Sequence, residues 1–275
     1  MSTEGSTSDT PLHGRRSVVT GASRGIGRAM ADRLAQLGAE VLLVARDSPV
    51  LHEAAKETGG RATPCDLADP RAREELLASV AEEGPVDLLI NNAGISEVGH
   101  LLDLDYPTIE RIVQVDLLAP MHLCRGWVPG MIEHGFGHIV NVSSMAAVMS
   151  PPGLVTYAAA KAGLSAYTAG IRQDLRDTPV RFTTVHLGSV PTELDDASRA
   201  YGPLRDAAAG SNGRDITPMA TVVDEITEAI RTGRAEVRLP RTLAGLPALA
   251  EVPRAMTRAI FRRYDVGPFE GDPSR

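Results

Sequence analysis

Tyr157 and Lys161 stand four residues apart near the start of Val155–Arg176, a stretch with helical spacing, so their side chains share one face. A phenol at its ordinary pKa of ~10 is a poor base near neutrality. A neighbouring ammonium favours the phenolate and lowers that pKa. Tyr157 is therefore a candidate to exchange a proton with a substrate hydroxyl or carbonyl. Ser144, ahead of it in the chain, can hydrogen-bond the same substrate oxygen. A Tyr-x-x-x-Lys pair alone is a weak signal, because surface pairs at this spacing are common. Its weight comes from what accompanies it.

The first accompaniment is Thr20-Gly21-Ala22-Ser23-Arg24-Gly25-Ile26-Gly27, which follows an apolar strand and opens a helix. Glycines let the backbone approach a pyrophosphate, and the helix N-terminus offers free N–H groups and a positive dipole end. The strand–loop–helix context raises this above a chance glycine triplet. Gly21, Ser23, Arg24, Gly25, Ile26 and Gly27 are the candidate cofactor contacts. At the end of the next strand an NAD site usually carries an acidic residue for the ribose 2′-OH. Here Ala45 holds that place and Arg46 follows it. With Arg24 in the loop, two cations and no carboxylate favour a 2′-phosphate, hence NADP(H) over NAD(H). The competing reading is two solvated surface arginines. Asn91-Asn92-Ala93-Gly94 ends another apolar strand and supplies small residues and amides for a wall beside the cofactor, although alone it reads equally as a turn.

Elements that position these residues alternate along the chain. Ser17–Thr20, Val41–Ala45, Arg61–Cys65, Val86–Asn91, His138–Val142, Arg181–Leu187 and Glu236–Leu239 read as strands. Ile26–Leu37, Arg71–Glu82, Pro107–Arg125, Val155–Arg176 and Val222–Arg231 read as helices between them. This βα alternation predicts a Rossmann-type α/β domain, a doubly wound parallel sheet of about seven strands flanked by helices. The expected division is a polar tail over 1–14, the α/β domain over 15–239 and a C-terminal extension over 240–275. Glu193–Thr217 has weak periodicity and follows the sixth strand, where ligands bind in such sheets, so it is the expected lid. Asp103, Asp105 and Glu110 fit the charge preference of a helix start.

As an ordered set, the glycine loop, Asn91-Asn92-Ala93-Gly94, Ser144 and Tyr157-x-x-x-Lys161 resemble the classical short-chain dehydrogenase/reductase family over roughly Arg15–Leu239. The resemblance implies an enzyme with Tyr157 as catalytic acid/base, Ser144 beside it, and Lys161 also holding the nicotinamide ribose. It implies adenine contacts at Asp66 and Leu67, and further cofactor contacts at Asn92, Ala93, Gly94, Val190 and Thr192. It also implies a homotetramer or homodimer built on two long helices. Two positions depart from the pattern. The family's fourth catalytic residue, an asparagine, falls at Asp116. Its main-chain carbonyl normally holds a water linked to the lysine, a part aspartate keeps, while the added carboxylate alters the proton relay and the tyrosine pKa. Leu187 stands where the family typically has proline, which puts the shape of the loop Gly188–Thr192 in question.

Bulk properties exclude other classes. The net charge of −7 argues against a nucleic-acid backbone binder, which needs a basic face. The two cysteines, Cys65 and Cys124, have no partners at metal-ligand spacing, and no disulfide is expected. His134 and His138 are four apart, but Gly135 and Gly137 intervene, so no metal is expected there either. Met1–Thr10 lacks a basic start followed by an apolar run, and the expected compartment is the cytoplasm. Ala255–Tyr264 sets Met256, Ile260, Phe261 and Tyr264 against Arg258, Arg262 and Arg263, with Arg254 just before it. Such a stretch can lie on a membrane surface, but packing on its own subunit or a partner is the favoured reading. Met145, Val148, Met149, Pro151 and Leu154 near the lid suggest an apolar pocket, hence a hydrophobic carbonyl/alcohol substrate. A non-catalytic dinucleotide-binding sensor or assembly protein on the same fold is the alternative.

Overall fold

A strand in the middle of a doubly wound sheet is covered on both faces, so its polar residues must be buried with its apolar ones, as Arg16, Ser17 and Thr20 are in β1 (Arg16–Thr20). All five residues of β1 are buried. The computed structural model describes residues 12–193, 195, 201–209 and 216–243. Of the tail expected over 1–14, residues 1–11 lie outside the described residues, as do the stretch Ala255–Tyr264 and 194, 196–200 and 210–215 of the expected lid. Leu12 is buried in the core and the Gly14 N–H donates to Gly38 O at 2.9 Å, so 12–14 belong to the folded domain rather than the tail.

After β1 come α1 (Gly25–Gln36), β2 (Glu40–Ala45), α2 (Pro49–Thr58), β3 (Arg61–Pro64), α3 (Pro70–Glu82) and β4 (Leu88–Asn91). The second half holds α4 (Tyr106–Val113), a π-helical turn (Gln114–Leu118), α5 (Ala119–His134), β5 (Gly137–Ser144) and α6 (Ala146–Met149). It continues with α7 (Val155–Asp174), β6 (Val180–Leu187), α8 (Gly202–Ala209), α9 (Met219–Thr232) and β7 (Glu236–Leu239). The seven strands pair in the order β3-β2-β1-β4-β5-β6-β7, and every pairing is parallel. This is the Rossmann-type arrangement, with the order reversing between β1 and β4, where a crevice opens at the carboxyl ends of the strands.

Alternation along the strands divides the core in two. Val19, Leu43, Ile90, Val140 and Val185 face α1, α2 and α9, meeting Met30, Leu34, Leu51, Val222 and Ile226. Val18, Leu42, Leu89, Ile139 and Phe182 face the other layer, meeting Leu76 and Val80 of α3 and Leu123, Trp127 and Met131 of α5. Asp105 caps α4, accepting the Thr108 N–H at 2.8 Å. The helix expected over Pro107–Arg125 differs from the one found. It runs on to His134 as α4, the π turn and α5, with Pro120 in the first turn of α5 and Pro129 inside it. The π turn inserts an extra residue per turn, which rotates the positions after it and carries Asp116 inward.

His138 on β5 is 2% exposed, and its ring contacts Thr183 Oγ1 at 2.8 Å. Burial, then the charge of Arg181, pushes its pKa down to about 4. The folded protein thus holds this ring neutral where the unfolded chain, titrating near ~6.5, takes up a proton. Its contribution is present above pH ~6.5 and is lost as the pH falls toward 4, in total about 3 kcal/mol. Urea midpoints of wild type and His138→Asn, measured across that range, are expected to converge as the solution is acidified. Parallel pH dependences would refute the assignment.

Candidate active site

Apart from Asp116, which lies on the π turn between α4 and α5, every site residue expected from the sequence lies at or beyond the carboxyl end of a strand, or on α7, the helix that follows α6. Gly21–Gly27 joins β1 to α1, Arg46 follows β2, and Asp66 and Leu67 follow β3. Asn92, Ala93 and Gly94 follow β4, Ser144 ends β5, and Val190 and Thr192 follow β6. Tyr157 and Lys161 sit in the first two turns of α7.

The glycine loop is tight because neighbouring backbone demands it. Gly21 has φ +65°, and a Cβ there would come 2.9 Å from Ala93 Cα. A Cβ on Gly27 would come 2.3 Å from Gly21 O and 2.6 Å from Asn92 Nδ2. Thr20 pins the facing turn: its Oγ1 accepts the N–H groups of Asn92 and Ala93, both at 3.0 Å. Asn92 Nδ2 donates to Thr20 O at 3.1 Å. The N-terminus of α1 has no side-chain cap and no acidic residue in its first turn. An uncapped N-terminus beside a backbone cradle fits a phosphate, so these residues suit the pyrophosphate of a dinucleotide.

Arg24 and Arg46 differ in their surroundings. Arg46 is exposed one residue beyond β2. Arg24 is paired with Glu193, from the start of the expected lid. Thr192 lies beside the same loop, its Cγ2 3.5 Å from where a Gly25 Cβ would stand. Both charges of the Arg24–Glu193 pair are mostly exposed, at 63% and 66%, so the pair contributes only about 0–1 kcal/mol and is easily exchanged for another anion. Sequence reasoning missed this pair, as it missed Arg111 Nη2 on Asp66 at 3.3 Å. Neither partnership has a local signal. Leu187 continues β6, and its carbonyl accepts the Met145 N–H at 2.7 Å. Beyond it Ser189 bridges to Ile216, so the loop is tied down although the expected proline is absent.

Lys161 is 3% exposed, and its Nζ donates to Val142 O at 3.0 Å. The same Nζ lies 5.7 Å from the centroid of the Tyr157 ring. Asp116 is fully buried; its Oδ1 accepts the Ile95 N–H at 2.7 Å and its Oδ2 is 3.5 Å from Lys161 Nζ. Burial pushes the Asp116 pKa up to about 6, the Lys161 charge and the Ile95 hydrogen bond opposing it. For Tyr157 the sequence-based expectation of a lowered pKa does not hold. Burial and then the Asp116 charge push the phenol above its ordinary value, and a hydrogen bond with Ser144 opposes them. The ammonium is there, but a carboxylate accompanies it and the phenol is enclosed. Ser144 Oγ accepts the Ala146 N–H at 3.0 Å, which fixes it at the end of β5. Behind the site Asn91 Nδ2 donates to Asn141 Oδ1, and Asn141 Nδ2 to Thr168 Oγ1, both at 2.8 Å.

The segment expected to form a lid meets this chemistry through α8. Leu204 and Val98 pack with Tyr157 against buried Ala146, Leu154 and Ala158. The Tyr201 ring is so near Gly153 that a Cβ there would come within 2.5 Å of it. The wall around the phenol is therefore apolar. Among the described residues no group of His, Cys, Asp and Glu could hold a metal, and no helix is long and apolar enough to cross a membrane.

A doubly wound parallel sheet, an uncapped glycine-loop helix and a Ser–Tyr–Lys set near the carboxyl ends form the arrangement that dinucleotide-dependent oxidoreductases use. The chain belongs to the short chain dehydrogenase family, whose profile matches residues 15–201. Members of that family are oxidoreductases that bind nicotinamide dinucleotides and act on CH–OH/C=O groups of small molecules. A short chain dehydrogenase of Pseudocercospora fijiensis is 37% identical over 197 residues, 68% of this chain and 64% of the relative. The chain thus spans slightly less than two thirds of that relative's length. A fatty acyl-CoA reductase of Mycobacterium tuberculosis is 32% identical over 261 residues, 92% of this chain and 85% of the relative. Among solved structures, a metagenomic short-chain oxidoreductase in complex with NADP is 38% identical with a TM-score of 0.61. That match covers 69% of this chain and 89% of the other.

Proposed function

We propose that this protein catalyses NADP(H)-dependent interconversion of a hydrophobic carbonyl compound and its alcohol, with residues 15–239 as the catalytic domain. The observation that carries the reading is the meeting of Ser144, Tyr157 and Lys161 beside the glycine loop, at the carboxyl edge of the sheet. The bound nicotinamide supplies or accepts the hydride. Tyr157 gives the proton to the substrate oxygen in reduction and takes it in oxidation, while Ser144 hydrogen-bonds that oxygen. Gly21, Ser23, Gly25, Ile26 and Gly27 form the pyrophosphate cradle. Asp66, Leu67, Asn92, Ala93, Gly94, Val190 and Thr192 line the remaining length of the dinucleotide, and Lys161 holds its nicotinamide ribose. The apolar wall of Val98, Leu154 and Leu204 supports a hydrophobic substrate. The fatty acyl-CoA reductase relative points the same way.

NADP(H) rather than NAD(H) follows from Arg46 and Arg24 and the lack of a carboxylate at Ala45; the NADP complex of the structural relative agrees. A charge-assisted contact to the 2′-phosphate is worth roughly tenfold to hundredfold in affinity. Arg46→Ala is accordingly expected to weaken NADPH binding by about that factor and leave NADH binding nearly unchanged, as read by nucleotide fluorescence titration. Tighter binding of NADH than NADPH by the wild type would sink the cofactor assignment.

Leu101 and Leu102, on a 3-10 turn just before α4, and Tyr106 at its start are exposed, and covering them supports a homodimer or homotetramer. Free, buried Cys65 and Cys124 fit a reducing compartment, and we place the protein in the cytoplasm.

A further inference from the structure

Asp116 brings a full negative charge into the site where an amide would be neutral. The π turn carries it inward until it is completely buried. Its Oδ1 is committed to the Ile95 N–H, while Oδ2 is buried without a hydrogen-bond partner. That orphan oxygen faces Lys161 Nζ at 3.5 Å, an ion-pair distance too long for a good hydrogen bond. The ammonium is itself drawn toward β5, donating to Val142 O. Gly94 leaves room for the pair: a Cβ there would lie 3.3 Å from Asp116 Oδ2 and 3.4 Å from Lys161 Nζ. An amide at this position would keep the acceptor for Ile95 but turn an NH2 donor toward Lys161.

From this geometry we infer that Asp116 is a positioning residue that offsets the Lys161 charge and keeps Tyr157 protonated, a proton donor, through neutral and mildly alkaline pH. The inference rests on the proposed role of Tyr157. The groups that act on the phenol are Asp116 from the π turn, Lys161 one turn along α7, and the Ser144 hydroxyl at the end of β5. Burial and Asp116 both favour the neutral phenol, the Ser144 hydrogen bond opposes them, and the pull of the Lys161 ammonium toward phenolate is offset by Asp116. With a reduced nicotinamide dinucleotide bound, the resting site is loaded for carbonyl reduction. Hydride forms the C–H bond at the carbonyl carbon, and the C=O π pair moves to oxygen. The Tyr157 O–H bond breaks to protonate that oxygen, leaving phenolate and oxidised dinucleotide, and the phenolate recovers its proton from water. Oxidation needs the phenolate at the outset, so its rate climbs with pH without levelling off near neutrality.

The decisive measurement is the tyrosinate ultraviolet absorbance of the cofactor-free protein against pH. Subtracting Tyr157→Phe from wild type isolates Tyr157 from the other tyrosines. Subtracting Asp116→Asn/Tyr157→Phe from Asp116→Asn isolates it in the variant. Wild-type Tyr157 is expected to titrate above ~10, and Asp116→Asn is expected to bring it down by about 1–2 pH units. The falling alkaline limb of kcat/KM for acetophenone reduction by NADPH is expected to shift by the same amount. Superimposable titrations would overturn the role of Asp116 while leaving Tyr157 as the acid. Full turnover by Tyr157→Phe would instead overturn the catalytic reading itself. If Asp116→Asn does not fold, the wild-type titration decides alone: ionisation of Tyr157 below pH ~9 refutes the inference.

Discussion

Tyr157→Phe is expected to lower kcat for carbonyl reduction by about 10²–10⁴-fold while NADPH binds as tightly as to wild type. The substitution removes one oxygen and keeps the ring. The ring packs with Val98 and Leu204 over Ala146, Leu154 and Ala158, and phenylalanine preserves those contacts. Stability is therefore retained and the kinetic loss is attributable to chemistry. The alternative proton donors are poor. Ser144 has an aliphatic hydroxyl and is already bonded by the Ala146 N–H. Lys161 is 3% exposed, and its ammonium is engaged by Val142 O and lies beside Asp116. A loss confined to kcat marks an interaction made only in the transition state, whereas a rise in KM with kcat unchanged would mark a binding role. Steady-state rates with acetophenone and nucleotide fluorescence titrations on the same preparations separate these outcomes. Unchanged kcat would leave the Ser–Tyr–Lys set as scaffolding around a different acid.

The legible and illegible parts of this protein divide by how local their causes are. Strand β1, the glycine loop and α1 follow from neighbouring residues: apolar run, glycines, helical spacing. The expected Ser17–Thr20 lies within the observed Arg16–Thr20. The Tyr157–Lys161 face is local too, because spacing on one helix sets it. The helix from Pro107 is only partly local. Its prolines at 120 and 129 argue for an early end, yet packing of Leu123, Trp127 and Met131 carries the helix past both. The sequence marks Asp116 as a departure, but not that a π turn aims its carboxylate at Lys161. Hence the sign of the effect on Tyr157 was not readable: a lone ammonium lowers a phenol's pKa, and a neutralised one in an enclosed site does not. Arg24 and Glu193 are 169 residues apart, and only the fold of β6 and its following loop brings them together.

The backbone cradle has a sharper consequence at Gly27 than at the other glycines of the loop. Gly27→Ala is expected to destabilise the protein by about 3 kcal/mol and to weaken NADPH binding by more than tenfold. The methyl group would stand 2.3 Å from Gly21 O, 2.6 Å from Asn92 Nδ2 and 2.8 Å from Gly21 C. Two of these three are backbone atoms. They belong to a turn fixed on one side by β1 and on the other by the Asn92 bonds to Thr20. No rotamer change relieves the overlap, so α1 must move away from the sheet, and its uncapped N-terminal N–H groups move with it. At a chain of this size the loss corresponds to a fall in Tm of roughly 6–12 °C. Gly25 gives the contrast. There the nearest atom to an added methyl is Thr192 Cγ2 at 3.5 Å, ordinary contact, and the cost comes from φ +57° alone, about 1 kcal/mol. Gly130 on α5 is the control: nothing lies within 4 Å of its Cβ position, and alanine there is expected to stabilise slightly. Thermal unfolding of the three variants should rank Gly27→Ala lowest and Gly130→Ala highest. A Gly27→Ala protein that melts and binds NADPH like wild type would mean the turn yields, and that close backbone approach is not what the glycine provides.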